Sequence, residues 1–175
     1  MITMAGEAGA EVASGAVRAE RLSTAHPFCV FRHAGNAYAI EAGFVHEVMW
    51  IREVAAVPLA PAGVYGLCAL RGQALPVIEL ARVLDVKDPP ALPPPGPASP
   101  WRGLVVGDED PLAVFPIERI EAIWSSERVG FKPCADAETR GVLLLGVLEG
   151  SSGAVKAGLL DGAELIRRME RLSGR

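Results

Sequence analysis

Cys68 and His46 are residues of the types that form a thiol-based catalytic pair, in which a histidine removes the proton of a nucleophilic cysteine. Cys68, however, lies within the apolar run 67–70. Burial in such a strand raises the pKa of a thiol and keeps it unreactive. We therefore interpret Cys68 as a small core residue and keep a thiol-dependent enzyme only as an alternative.

The remaining acidic and histidine residues do not form a pattern typical of a metal or phosphate site. His26, His33 and His46 do not stand at the spacing of metal ligands with one another or with a cysteine. The acidic run 108–110 precedes a proline between two apolar segments, which is typical of a solvated turn. The sequence lacks the glycine motifs that bind nucleotides. We predict no catalytic group, no metal site and no cofactor.

Arg71 is the strongest candidate for binding another protein. It precedes Gly72 between two apolar segments, which predicts a hairpin tip. Arginine keeps its charge and offers five donors, so it suits a partner's carboxylates or backbone carbonyls. Alternatively, Arg71 satisfies carbonyls within its own domain. Val45 and Glu47 are further candidates, because alternation along a strand places both on one face.

The composition favours a globular domain and excludes several partners. The 175 residues are 50% hydrophobic and 22% charged, with a formal net charge of −4. This balance provides no electrostatic attraction to nucleic acid. The three separated cysteines fit a reducing compartment. Because no stretch has the length of a membrane helix or a signal-peptide core, we expect a cytoplasmic protein without direct membrane insertion.

The elements that would position these residues are mostly strands. Four apolar pairs separated by turn residues predict four hairpins, and in the first of them Gly35 and Asn36 would adopt positive φ. Trp50 and Trp124 lie 74 positions apart, and Gly66 and Gly141 lie 75 apart. This constant offset predicts a duplicated unit and two small barrels packed on each other. How the two barrels share their strands is left open.

The predicted boundaries follow changes in composition. Residues 1–26 are expected to form a flexible tail, followed by one domain over 27–172. That domain divides into a first barrel unit at about 27–88, a connector at 88–100, a second unit at about 101–160 and a helix over 161–172. The connector contains seven of the chain's fourteen prolines, which favour an extended segment. The helix has one apolar stripe, Leu165, Ile166, Met169 and Leu172, and Asp161 is its predicted cap.

Residues 28–86 resemble the CheW-like adaptor domain of bacterial chemosensory systems. The resemblance rests on a series of short motifs that occur in the same order as in that family. They are FCVF, YAI, VHEV, PLAP, LRG and LPVIEL. A weaker resemblance continues over 101–172, in PIERIEAI and LLDGAELI.

The resemblance implies an all-β fold of two five-stranded SH3-like barrels with a common core and a C-terminal helix. It also implies a scaffold without catalytic activity, which links a chemosensory histidine kinase to the cytoplasmic tip of methyl-accepting receptors. The kinase of such systems carries a homologous domain that pairs with the adaptor barrel to barrel. By motif position, Val45, Glu47, Gly66 and Arg71 match residues at or near the family's partner-binding surfaces. An adaptor of another two-component pathway, which does not engage receptors, is the second interpretation.

Overall fold

The computed structural model describes residues 27–86, 91–125, 127, 129–134, 143–151, 153 and 155–173. Within these residues the chain forms eleven strands, two α-helices and a 3-10 turn at Ala42–Phe44. The strands are β1 (Phe28–His33), β2 (Asn36–Glu41), β3 (Val45–Ile51), β4 (Val64–Leu70), β5 (Gln73–Ile78), β6 (Trp101–Gly107), β7 (Pro111–Ile117), β8 (Arg119–Trp124), β9 (Val129–Pro133), β10 (Leu144–Gly150) and β11 (Lys156–Leu160). The α-helices are α1 (Leu80–Val83) and α2 (Gly162–Ser173). The predicted tail at 1–26 and Gly141 lie outside the described residues.

The strands form two sheets, as the predicted all-β fold requires. One sheet has six strands in the order β8-β1-β2-β11-β10-β9, and the other has five in the order β3-β6-β7-β5-β4. The expected count of five per sheet is thus met in one sheet and exceeded by one in the other. Each sheet combines strands from both halves of the sequence, so the two sheets do not coincide with the two repeated sequence units.

The five-stranded sheet curls until its first and last strands meet. Residue Ala55, just beyond β3, exchanges two backbone hydrogen bonds with Leu67 of β4, at 2.8 and 2.9 Å. The six-stranded sheet also curls, because the indole of Trp124 at the end of β8 lies against Gly150 of β10, the strand next to the far edge. Two curled sheets of this kind agree with the predicted pair of small barrels.

Three apolar clusters explain why several strands are buried on both faces. One cluster lies between the sheets and includes Phe31 of β1 and Phe115 of β7. A second lies within the six-stranded sheet and includes Val30, and a third lies within the five-stranded sheet and includes Val114. Because neighbouring side chains of a strand point to opposite faces, β1 and β7 each contribute to the shared core and to one barrel interior.

The four predicted hairpins are present, with one correction in the first turn. Positive φ occurs at Ala34 (50°) and Gly35 (75°), whereas Asn36 already belongs to β2. The prediction of positive φ at Asn36 was therefore wrong. A two-residue turn with positive φ at both positions matches the right-handed twist of the flanking strands, and here the pairing of His33 with Asn36 sets the turn at residues 34 and 35.

Helix α2 packs on the shared core along the predicted stripe. Leu165 and Met169 are fully buried, and Ile166 and Leu172 are partly buried against the same cluster. Asp161 caps the helix, because its Oδ1 accepts a hydrogen bond of 3.0 Å from the Glu164 backbone N–H. At the N-terminal end, Gly162 lies against the ring of Phe44, which leaves no room for a Cβ atom.

Arg168 fixes the position of α2 relative to α1. Its guanidinium donates to the carbonyl of Val83 at 2.8 Å and to the carboxylate of Asp85 at 3.0 Å. Within α2, Arg168 also forms an ion pair with Glu164, at 3.4 Å. Among the described residues, no helix has the length and apolar character needed to span a membrane.

Candidate partner-binding surface

Arg71 occupies the tip of the hairpin between β4 and β5, as the sequence predicts. Leu70 pairs with Gln73, so Arg71 and Gly72 alone form the turn, with φ of 49° and 83°. Positive φ at both positions is typical of a two-residue hairpin turn. The Arg71 side chain is 79% exposed.

The structure brings Arg71 and Glu47 together. The Nη2 atom of Arg71 lies 3.1 Å from Oε1 of Glu47 and 3.2 Å from its Oε2. Glu47 belongs to β3, at one end of the order of the five-stranded sheet, and Arg71 follows β4 at the other end. The pair therefore joins the two edges of the sheet. Both residues were candidates from the sequence, but their contact was not predicted.

Val45 lies near this ion pair but faces a different environment. It is half-buried and packs against the shared core. The ladder between β3 and β6 shifts at this point, since Val45 pairs with Val106 and Glu47 with Val105. Such a bulge changes the direction in which the following side chains point. Here it lies directly before the carboxylate that holds Arg71.

Gly66 has a backbone role that the structure makes explicit. Its φ is +144°, and a Cβ atom at this position would lie 2.3 Å from the carbonyl oxygen of Ala55. This is the same Ala55 that bridges to Leu67 where the sheet closes. A glycine is needed here because only a residue without a side chain permits so close an approach of two backbones.

Several exposed apolar residues near these positions were missed by sequence analysis. On β3, Val48 and Trp50 are 42% and 52% exposed. In the loop that follows, Leu59 is fully exposed and has a φ of 60°. Pro58 and the hydrogen bond from Ala60 N–H to the Val57 carbonyl identify a β-turn. Proline at this position was the available signal for the turn, but exposure of Leu59 could not be inferred from it.

The proposed thiol pair is not assembled. Cys68 is buried in the core of the five-stranded sheet, and burial raises the pKa of its thiol. His46 is exposed on β3. No hydrogen bond links the two among the residues that the structure describes. Across the same residues, no three His, Cys, Asp or Glu side chains group closely enough to hold a metal ion.

Comparison with known proteins identifies the family of this fold. The family model described as CheW-like domain matches residues 27–168. The chain belongs to the CheW-like domain family. No curated protein matches the sequence.

A solved structure supports the same fold assignment. The CheW-like domain described here is similar to the scaffolding protein TtCheW from Thermoanaerobacter tengcongensis, with a TM-score of 0.60 and 17% sequence identity. The match covers 78% of this chain and 88% of that one. At this identity the likeness concerns the fold. Membership of the family itself confirms the resemblance found in the sequence motifs.

Proposed function

We propose that this CheW-like domain is a non-enzymatic adaptor of a bacterial chemosensory system. In this role it would bind both the cytoplasmic tip of a methyl-accepting receptor and a histidine kinase in the cytoplasm. Family membership and the fold shared with a chemotaxis scaffolding protein support the proposal. The single observation that carries the receptor-binding part is the Glu47–Arg71 ion pair at the closure of the five-stranded sheet.

The ion pair suits recognition because it orients an exposed cation. Arg71 is 79% exposed while Glu47 is 28% exposed, so the carboxylate serves as an anchor for the guanidinium. The anchor uses one nitrogen of Arg71. Its other N–H donors form no hydrogen bond with the residues that the structure describes, so they can reach carboxylates or carbonyls of a receptor helix. Holding the side chain in one direction before binding lowers the conformational entropy that binding must overcome.

Val45 and Gly66 would support this surface in different ways. Val45 forms part of its apolar surroundings, and Gly66 maintains the closure of the sheet that brings Glu47 and Arg71 together. The kinase would contact a barrel end through its own homologous domain. A scaffold can alter kinase output only if it binds the kinase's states with different affinities, so small shifts at these contacts would carry the signal.

Co-sedimentation with receptor-containing membranes tests the proposal. Arg71→Glu places two carboxylates side by side and is expected to abolish co-sedimentation while the thermal melt followed by circular dichroism stays nearly unchanged. Lys132→Glu is the matched control. Lys132 is also exposed and pairs with a glutamate, Glu149, at 3.0 Å, but it lies on β9 of the other sheet. This variant should sediment like the wild type.

A parallel pull-down with the histidine kinase separates the two adaptor interpretations. Binding of receptor and kinase by the wild type supports the coupling role. Binding of the kinase alone would indicate an adaptor that does not engage receptors. If Arg71→Glu and Lys132→Glu lower receptor binding equally, the Glu47–Arg71 pair is not the receptor contact.

A further inference from the structure

A cavity of about 320 Å³ lies where β1, β3, β6 and the end of β7 come together. Residues 91–100, which we call the strap, form one of its walls through Leu92 and Pro100. The volume is at the lower end of the range of ligand sites and suits one side chain or a small molecule. Arg71 and Glu47 do not line this cavity.

The strap is held in place by hydrogen bonds. The indole N–H of Trp101 donates to the carbonyl of Pro93 at 2.9 Å. Within the strap, Gly96 and Ser99 exchange two backbone hydrogen bonds, at 3.2 and 3.1 Å. Prolines restrict the remaining backbone freedom of the segment. The wall is therefore a fixed part of the cavity.

His33 provides a buried hydrogen-bond acceptor in the lining. The residue is only 7% exposed, and its Nδ1 lies 3.1 Å from the carbonyl oxygen of Pro116. A carbonyl can only accept, so Nδ1 carries the proton and Nε2 is left with its lone pair when the ring is neutral. Among the described residues, Nε2 has no hydrogen-bond partner. Burial lowers the pKa of His33 and so favours the neutral ring.

Two carboxylates lie in the same lining. Glu118 accepts a hydrogen bond of 2.7 Å from the Gly35 N–H, and no Lys or Arg of the described residues forms an ion pair with it. Glu79 accepts from the Tyr65 hydroxyl at 3.1 Å and is paired with Arg82 at 3.4 Å. Both carboxylates act to raise the pKa of His33, against the larger lowering effect of burial. This end of the cavity therefore combines negative charge with acceptors.

Aromatic rings form another part of the lining, and one of them contacts a cationic side chain of the chain itself. The guanidinium of Arg102 lies over the ring of Trp50, 4.8 Å from the centroid. This is the geometry of a cation–π contact. Tyr65 and Trp101 form an aromatic pair in the same lining, with ring centroids 5.1 Å apart. Because the guanidinium of Arg102 already covers the ring of Trp50, a second cation would lie towards Tyr65 and Trp101, near the two carboxylates.

We infer that this cavity binds a guanidinium or alkylammonium group, which donates to His33 Nε2 and Glu118 and lies against the Tyr65–Trp101 pair. Such a group is carried by basic side chains of proteins and by small organic cations. The inference goes beyond the proposed adaptor function and does not depend on it. Loss of receptor binding in Arg71→Glu would leave it unaffected, since Arg71 lies outside the cavity.

Tryptophan fluorescence of the full chain tests this inference. The chain has three tryptophans, of which Trp50 and Trp101 line the cavity, so a Trp124→Phe background reports on the site alone. Methylguanidinium is expected to change the emission saturably, whereas methylurea, which is neutral and similar in shape, should not. In the unmodified chain, the indole N–H resonance of Trp101 should shift in an NMR titration with methylguanidinium in the same way.

Glu118→Gln and Glu109→Gln form a matched pair of variants. Glutamine at 118 can still accept from Gly35 but removes the charge, and should weaken methylguanidinium binding about three- to tenfold. Glu109 is exposed in the β6–β7 turn outside the cavity, and its replacement should leave the affinity unchanged. Equal binding of methylguanidinium and methylurea, or equal affinity of the two variants, would overturn the inference.

Two capped tripeptides identify the source of the cation. Acetyl-Gly-Arg-Gly-amide is compared with the same peptide carrying citrulline, the neutral isostere of arginine. If the arginine peptide binds more tightly than methylguanidinium, the site takes a basic side chain of a protein. If methylguanidinium binds and the arginine peptide does not, the site takes a small organic cation. If neither binds in a saturable way, the inference fails.

Discussion

The guanidinium of Arg71 contacts both carboxylate oxygens of Glu47, and the two residues come from opposite ends of the strand order of one sheet. The contact exists only because the sheet curls far enough for β3 and the β4–β5 turn to meet. The same closure depends on the bridge between Ala55 and Leu67. A candidate recognition pair is thus positioned by the curvature of the sheet and lies on its surface.

Exchanging the charges of Glu47 and Arg71 distinguishes a role in receptor binding from a role in the stability of the fold. Exposed ion pairs contribute about 0–1 kcal/mol, so Arg71→Glu should lower the free energy of unfolding by no more than this amount. The double variant Glu47→Arg, Arg71→Glu should recover the loss in urea titrations, because it restores the pair. Receptor co-sedimentation should stay absent, since the exposed charge is now negative. Recovery of co-sedimentation in the double variant would assign the pair a purely structural role.

Gly66→Ala should destabilise the fold more than Gly72→Ala. Both residues have positive φ, at +144° and +83°, which alanine adopts at a cost of about 1–2 kcal/mol. At Gly66 the added Cβ would also meet the Ala55 carbonyl, whereas nothing lies within 4 Å of the Cβ position at Gly72. Urea unfolding of both variants measures the difference. If both variants lose the same free energy of unfolding, the backbone at Ala55 moves to accommodate the new Cβ atom without destabilising the fold.

Sequence patterns predicted the turns and the C-terminal helix of this domain well, because these elements are determined by residues close together in the chain. A turn such as Arg71-Gly72 is specified by its own residues, and the stripe of α2 by the period of the helix. Contacts between distant segments were not predicted. His33 lies against Pro116, 83 positions away, and the exchange of strands between sheets leaves no trace in the alternation of side chains.

The candidate site was predicted only in part, because its residues come from segments that are distant in the sequence. Arg71, Glu47 and Gly66 were named from their motifs, but each obtains its place from the closure of the sheet. The strap shows most clearly which part of the structure could not be predicted from the sequence. Its prolines predict an extended connector, yet its position as a cavity wall depends on one indole N–H, that of Trp101, reaching the Pro93 carbonyl.

Thiol reactivity should distinguish one cysteine from the other two. Burial raises the pKa of Cys29 to about 11 and also raises the pKa of Cys68. Cys134 is only half-buried. In the folded chain at pH 8, Ellman's reagent should react quickly with a single thiol, and Cys134→Ser should remove this fast phase. Fast labelling of Cys68 would contradict this expectation and revive the thiol-enzyme alternative.

The stability of the domain should fall as the pH is lowered through the titration range of His33. Burial lowers the pKa of this histidine, against smaller opposing effects of the Pro116 hydrogen bond and of Glu118 and Glu79. The unfolded chain therefore binds a proton at a higher pH than the folded chain does. The stabilisation is complete above the ordinary value of 6.5 and is lost as the pH falls towards the folded pKa.

Urea titrations at pH 7.5, 6.5 and 5.5 measure this loss. One proton changes the free energy of unfolding by at most about 1.4 kcal/mol per pH unit, which sets the upper limit of the slope due to His33. His33→Gln should flatten the dependence even if it lowers stability at every pH, because the slope is independent of the absolute value. His46→Gln, which replaces an exposed histidine of β3, should keep the wild-type slope. A wild-type slope in His33→Gln would show that protonation of another group weakens the fold in this range.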